Sequence, residues 1–193
     1  MASAPLRTLI TAIILWFSCG PTRAQVGPRE EIPFVPTPVE VIDRMLEIAE
    51  VKKGDVVYDL GSGDGRIVIR AAQKYGARAV GIEMDTVLLD KARKDAKAAG
   101  VSHLVQFRKE DAMKADLSKA TVITLYMLPW FNEAMKPSFK KFLKPGARIV
   151  AHDFGIEGWE PDKTEKLAEP ERKASNFLHY HTIYLWRIGQ DRK

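Results

Sequence analysis

The chain has 193 residues, with 30 Lys and Arg against 25 Asp and Glu, for a formal net charge of +5. With 46% hydrophobic and 28% charged residues it has the balance of a folded domain, not of a disordered or fibrous chain, and so mild a positive surplus does not by itself argue for nucleic acid. A single cysteine, Cys19, rules out an internal disulfide and a thiolate zinc cluster.

At the N-terminus Arg7 precedes an apolar run over 9–19, Pro21 breaks the run, and Thr22-Arg23-Ala24 leads into Gln25. A charged start, a short apolar core and a small residue before a cut point mark residues 1–24 as a signal peptide or N-terminal anchor. The run is shorter than the roughly 20 apolar residues that a spanning helix needs. The expectation is export to the periplasm or membrane association through this segment; the alternative is a cytoplasmic chain with an uncleaved tail. Residues 25–38 carry Pro28, Pro33, Pro36 and Pro38 and read as an extended lead-in, which leaves 39–193 as the domain proper.

A helix is predicted over 39–50, where Val39, Ile42, Met45, Leu46 and Ala49 share one face. Thr37 is placed as its N-cap, with Pro38 at the first helical position and Glu40 three residues after Thr37. Next come a strand over 55–60, a helix over 66–75 closed by Gly76, and a strand over 79–82. A helix over 86–99 runs from an Asp85 cap to a Gly100 stop. Strands over 104–108 and 121–126, a helix over 131–142, a turn at Pro145-Gly146 and a strand over 147–152 complete the alternation. Strands separated by helices imply a parallel sheet covered on both faces. Beyond His152 the rhythm changes: 182–187 is strongly β-prone, 163–168 is either a strand or a helical turn, and a terminal antiparallel hairpin fits.

The sharpest feature is Asp59-Leu60-Gly61-Ser62-Gly63-Asp64-Gly65-Arg66, between a predicted strand and a predicted helix. Glycines there let the backbone turn tightly and approach a ligand closely. A dinucleotide fingerprint would place Gly or Ala where Arg66 stands. Asp59 and Asp64 would also repel a pyrophosphate, whereas they suit a ligand with positive groups. S-adenosylmethionine carries a sulfonium and an ammonium and has no phosphate. The next strand ends at Glu83, which can accept both ribose hydroxyls, and the third is followed by Asp111-Ala112, where Asp111 can accept from the adenine amino group. Consecutive strands thus end in acceptors on one rim; the alternative for each residue is a helix cap or a loop charge.

At these residues the chain resembles class I S-adenosylmethionine-dependent methyltransferases, over about 33–187. The resemblance implies an α/β, Rossmann-like, doubly wound sheet of seven mostly parallel strands with an antiparallel C-terminal strand. It implies that Gly61, Ser62, Gly63 and Gly65 bracket the methionine part of the cofactor and that Glu83 holds the ribose. Phe34-Val35-Pro36-Thr37-Pro38, followed by DLGSGDGRIVI at 59–69, is similar to the small protein-lysine methyltransferases. It is closer still to bacterial methyltransferase-domain proteins that share a strand like Thr124-Leu125-Tyr126-Met127-Leu128-Pro129 and a His152-Asp153-Phe154 step. In the lysine-methylating relatives the Pro-Thr-Pro segment folds toward the cofactor, so Thr37 is a candidate cofactor contact as well as a candidate cap. Adenine and glutamine methyltransferases carry an Asn/Asp-Pro-Pro-Tyr/Phe motif after the fourth strand, and metal-dependent catechol-type enzymes an Asp. Tyr126-Met127-Leu128-Pro129 departs from both, and a metal ion is not expected.

Methyl transfer is an in-line displacement at carbon, so the site must align the nucleophile and exclude water. A lysine must also lose its proton, to a base or through desolvation. Tyr126, His152 and Asp153, after the fourth and fifth predicted strands, are the catalytic candidates. Tyr126 would accept from the amine or shape the slot; His152, with an ordinary pKa near neutrality, would take a proton; Asp153 would orient it or attract a cation. Alternatively His152-Asp153 ends a strand and caps a turn. His179 and His181 are too few for a metal site and read as an edge-strand surface. Lys91, Arg93, Lys94 and Lys97 read as a solvated helix face, and Trp130, Phe131 and Trp159 either line an apolar entrance or pack. The functions left are methyl transfer to a protein lysine, transfer to a small-molecule acceptor, and cofactor binding without turnover. A nucleic-acid partner is not expected.

Overall fold

The structure, a computed structural model, describes residues 34–168 and 180–189. The leader-like segment 1–24 with Cys19, the lead-in up to 33, and His179 lie outside the described residues. Among the described residues no helix is long and apolar enough to cross a membrane.

Helix α1 (Val39–Ile48) buries Val41, Ile42, Met45 and Leu46 on one stripe. Thr37 does not cap it: the N-cap is Pro38, with no side-chain cap bond, and Thr37 is buried with its hydroxyl against His152. Strand β1 (Val56–Leu60) leads through the glycine turn into α2 (Arg66–Tyr75), which stops at Gly76 in the left-handed region. Strand β2 (Arg78–Glu83) and helix α3 (Thr86–Ala98) follow, and the Asp85 carboxylate caps α3 by accepting from the amides of Val87 and Leu88. Strand β3 (Val105–Lys109) passes into a short 3-10 turn over Ala112–Lys114 and then into β4 (Val122–Leu125). The expected helix over 131–142 is two helices, α4 (Pro129–Ala134) and α5 (Lys136–Phe142). Pro137 has no N–H to continue the ladder, so the chain bends at Met135 and restarts. Strand β5 (Arg148–His152), edge strand β6 (Lys163–Ala168) and β7 (Tyr180–Arg187) complete the fold.

The seven strands lie in the order β3-β2-β1-β4-β5-β7-β6. All neighbouring pairs are parallel except those made by β7, which runs antiparallel to β5 and β6. The segment 163–168 is therefore a strand, and the C-terminal strand is antiparallel, as expected. One sheet face packs Val57, Ala79, Val122 and Val150 against Ile42 and Met45 of α1 and Val68 and Ala71 of α2. The other packs Tyr58, Leu60, Ile123 and Ile149 against Phe131 of α4 and Phe139 of α5. Trp159 packs with Phe139, their ring centroids 6.4 Å apart, and its carbonyl accepts from the Trp186 indole at 3.0 Å, so Phe131 and Trp159 belong to the packing.

The order of strands fixes the order of functional residues. Along the carboxyl edge the residues run from Asp111 after β3, through Glu83 and the glycine turn, to Tyr126 after β4 and His152-Asp153 at β5. Because β7 is antiparallel, its beginning meets this same edge, and that beginning carries His181.

Candidate functional site

The turn between β1 and α2 uses three left-handed glycines, Gly61 (φ 76°), Gly63 (φ 53°) and Gly65 (φ 78°). Each also lacks room for a side chain. A Cβ at Gly61 would meet the Met127 sulfur at 2.5 Å, one at Gly63 would strike the Phe34 ring, and one at Gly65 would meet the Phe107 ring at 2.6 Å. The amides of Gly61 and Ser62 both donate to the Ile82 carbonyl at 2.9 Å, which binds the turn to β2. Ser62 is buried, and its hydroxyl has no partner among the described residues.

Glu83 is the hub of this corner. Its Oε2 accepts the Gly63 amide at 2.9 Å, and its Oε1 accepts the amides of Met84 at 2.7 Å and Asp85 at 2.9 Å. One lone pair of Oε2 remains for a ligand hydroxyl. Met84 beside it is a large apolar side chain left 58% exposed. Asp111 caps the 3-10 turn, its Oδ1 accepting the Met113 amide at 3.0 Å, while Oδ2 stands 3.7 Å from the Lys114 ammonium. Ala112 is buried behind it.

The two aspartates of the turn are placed differently from the sequence expectation. Asp64 accepts from Arg66 at 2.9 and 2.8 Å and from Lys91 at 3.3 Å. Burial works against its charge, but Arg66 and Lys91 outweigh burial and hold the carboxyl below the usual range. Asp64 is thus neutralised inside the chain and does not present a free charge to a cation, and Lys91 is not purely a solvated residue. Arg66 also donates to the Thr37 carbonyl at 3.1 Å, which ties the lead-in to the turn. Asp59 is buried in the sheet, paired in register with Thr124, whose hydroxyl donates to it at 2.7 Å. Burial pushes its carboxyl up to about 7, against the Thr124 bond and with the help of the Glu83 and Asp64 charges.

At the other end of the rim Tyr126 lies over His152, ring centroids 4.0 Å apart. Burial, and then the Asp153 charge, raise the Tyr126 phenol, which stays protonated near neutral pH. His152 is fully buried. Its Nδ1 lies 3.3 Å from the Thr37 hydroxyl and its Nε2 lies 2.9 Å from Nδ1 of His181. Burial pushes the imidazole down to about 4, although the neighbouring Asp153 charge pulls the other way. Burial thus favours the neutral ring, and with both nitrogens facing the chain this geometry does not support the expected role of His152 as proton acceptor. Asp153 has φ 59°, and its Oδ1 accepts the Thr182 amide at 2.8 Å. His181 is not an edge-surface residue; its side chain is 18% exposed and turns to His152 and Asp153.

Residues 59–163 match the family described as the ANTKMT methyltransferase domain. The chain belongs to that family. ANTKMT-type domains are S-adenosylmethionine-dependent methyltransferases, and this chain is one: it is 41% identical over 160 residues to a protein-lysine N-methyltransferase of Saccharolobus islandicus (strain REY15A), covering 82% of this chain and 95% of that one. The adenine nucleotide translocase lysine N-methyltransferase of Mus musculus is 32% identical over 138 residues, and the match spans 71% of this chain and 59% of that one. A crystal structure described as an RNA methyltransferase from Salinibacter ruber in complex with S-adenosyl-L-homocysteine is 52% identical, with a TM-score of 0.74 over 82% of this chain and 97% of that one.

The ANTKMT-type rim fits S-adenosylmethionine on its own residues. The Ser62 hydroxyl is buried without a partner among the described residues, Glu83 keeps an acceptor position, and the Met84 side chain offers an apolar face beside it. Sequence reasoning missed Arg66 and Lys91 as the partners of Asp64, Thr124 as the partner of Asp59, and His181. The parity of β1 against β4 could have found Thr124; finding His181 required knowing that β7 returns antiparallel beside β5.

Proposed function

We propose that this methyltransferase transfers the methyl group of S-adenosylmethionine to lysine amines of a protein. The observation that carries this reading is the match, over 82% of this chain and 95% of the relative, to the Saccharolobus islandicus enzyme named for protein lysine. S-adenosylmethionine supplies a methyl carbon on a sulfonium leaving group. The chain's part is to hold and align. Gly61, Ser62, Gly63 and Gly65 bring backbone to the methionine portion, Glu83 accepts from the ribose, Met84 covers the purine, and Asp111 with Ala112 closes its edge. Tyr126 faces the acceptor, and its neutral hydroxyl accepts from an amine N–H and aims the nitrogen. His152 supports the Tyr126 ring and Asp153 is held against β7, so neither is assigned as the base. Desolvation at the mouth of the slot lowers the pKa of the lysine ammonium, so that it gives its proton to bulk water and enters as the neutral amine.

A second reading, RNA as acceptor, draws on the description of the Salinibacter structure. A groove of about 780 Å³ also carries Lys52, Arg78, Arg108, Lys119, Lys144 and Arg148. It opens at the amino ends of β1, β2, β4 and β5, whereas the rim lies at their carboxyl ends, and this disfavours it as an acceptor channel. Labelled S-adenosylmethionine with an extract separates the readings. Label in protein, recovered as methyl-lysine after hydrolysis, is expected; label confined to RNA would overturn the lysine assignment. For residues 1–24 the proposed role remains export or anchoring, and sequencing the native N-terminus after fractionation tests it. Because S-adenosylmethionine is made in the cytosol, a cleaved, exported chain would have to be supplied with it.

A further inference from the structure

Three ligand-bearing groups converge where β5, β7 and the end of the lead-in meet. His152 Nε2 and His181 Nδ1 are 2.9 Å apart, and Asp153 Oδ2 is 3.3 Å from the first and 3.7 Å from the second. Nitrogen and oxygen ligands at about 2.0–2.2 Å from a divalent first-row ion stand roughly 3.0–3.5 Å from one another. The triangle therefore has the size of one face of such a shell.

The surroundings prepare these atoms. Asp153 sits at φ 59°, a backbone state uncommon for a residue with a side chain. It is locked there from both sides: its amide donates to the Thr182 carbonyl at 2.7 Å, and its Oδ1 accepts the Thr182 amide at 2.8 Å. Oδ1 is thereby occupied and Oδ2 is left facing the histidines. Thr37 Oγ1 lies 3.3 Å from His152 Nδ1; by accepting from Nδ1–H it would fix the tautomer whose lone pair is on Nε2. His181 Nε2 is buried without a partner among the described residues, so nothing there opposes the tautomer whose lone pair is on Nδ1. In that state two lone pairs and a carboxylate oxygen face one another, and a cation is what resolves them. In the other tautomer a His152–His181 hydrogen bond fills this contact, and Asp153 Oδ2, on a side chain 28% exposed, is served by solvent.

We propose that His152, Asp153 and His181 bind one divalent transition-metal ion of the Zn²⁺ class, with Thr37 orienting the His152 ring. Two imidazoles and one carboxylate suit a borderline ion better than Mg²⁺ or Ca²⁺. Three protein ligands leave a coordination position open to water or to a ligand. The ion would join β5, β7 and the lead-in, segments separated by more than a hundred residues at Thr37 and His152.

The test uses the full chain, stripped with a chelator and titrated with Zn²⁺ against a chromophoric competitor, and in parallel with Co²⁺ followed by its visible absorption. One ion per chain with Kd below about 1 µM is expected. His181→Ala and Asp153→Asn should each weaken binding by at least about a hundredfold, and Thr37→Val by roughly tenfold. Asp153→Asn keeps an oxygen for the Thr182 amide, so it carries the test if the alanine variant does not fold. Failure of the native chain to bind either ion stoichiometrically overturns the site. So does binding, or a Co²⁺ spectrum, that Asp153→Asn leaves unchanged.

Discussion

The Glu83 carboxylate accepts the Gly63 amide at 2.9 Å, joining the end of β2 to the middle of the glycine turn. With the Met84 and Asp85 amides it serves three backbone donors. Glu83 therefore builds the site as well as lining it. Glu83→Ala removes the proposed ribose acceptor and leaves these donors to water, so S-adenosylmethionine affinity should fall by about tenfold or more. Glu83→Gln keeps one acceptor oxygen and should fall between. Calorimetry giving the alanine variant native affinity would remove Glu83 from the cofactor site.

Asp59 makes stability depend on pH in an unusual direction for a carboxylate. Its folded value of about 7 lies above the roughly 3.9 of an unfolded aspartate. The native state binds the proton more tightly, so its contribution is fully present below about pH 4 and is lost as pH rises through 7. Asp59→Asn should melt like the native protein at pH 4 and exceed it by about 1–3 kcal/mol at pH 8. A native protein that gains stability relative to the variant between those values would show that Asp59 is ionised throughout.

The same residue should report on the cofactor. If the ammonium and sulfonium come near Asp59, they favour its charged form, and binding below pH 7 expels a proton. Calorimetry at pH 6 in buffers of different ionisation enthalpy should show release of up to one proton, absent at pH 8.5 and absent in Asp59→Asn. Equal release by the variant would place the titrating group elsewhere.

The sheet was legible in the sequence because each buried strand is a short β-branched run bounded by Gly, Pro or a cap, and the helices show a regular apolar stripe. The glycine turn and Glu83 were legible for the same local reason. What was not legible depends on partners distant in the chain. Asp64 read as a free charge because Lys91, 27 residues on, reaches it only when α3 packs beside the turn, and because the bond from its near neighbour Arg66 depends on how the turn folds. Thr37 read as a cap because its real neighbour, His152, is 115 residues away. The break at Met135 is readable from Pro137, which the expectation of one helix over 131–142 did not use. The charge argument that pointed to S-adenosylmethionine therefore reached the right cofactor from carboxylates that the fold largely neutralises.

Gly63 and Gly65 should fail differently when substituted. Both have positive φ, so alanine costs each roughly 1 kcal/mol of backbone strain. A Cβ at Gly65 also meets Phe107 at 2.6 Å and the Ala92 side chain at 2.9 Å, inside the packing of α3 on β3. At Gly63 it meets the ring of Phe34, which is 48% exposed and can swing away. Gly65→Ala should therefore lower the melting temperature clearly more than Gly63→Ala, whereas Gly63→Ala should lose cofactor affinity while staying folded. Equal melting temperatures would mean that the Phe107 contact relaxes freely.

Tyr126 separates alignment from binding. Its ring is held over His152 at a centroid distance of 4.0 Å, and Phe154 stacks beyond it at 6.3 Å, so the hydroxyl is carried on a stack that a phenylalanine would preserve. Tyr126→Phe removes one oxygen and keeps the packing. If that oxygen aims the incoming amine, its loss acts on the transition state and not on cofactor binding. The variant should hold S-adenosylmethionine within about twofold of the native affinity, while kcat for methyl-lysine formation drops roughly ten- to a hundredfold. The two quantities must be measured on one preparation, with the cofactor saturating in the transfer assay, so that weaker binding cannot pass for slower chemistry. A native kcat would exclude the hydroxyl from the reaction and leave the ring as a wall of the acceptor slot. A parallel loss of affinity and rate would instead place Tyr126 against the cofactor.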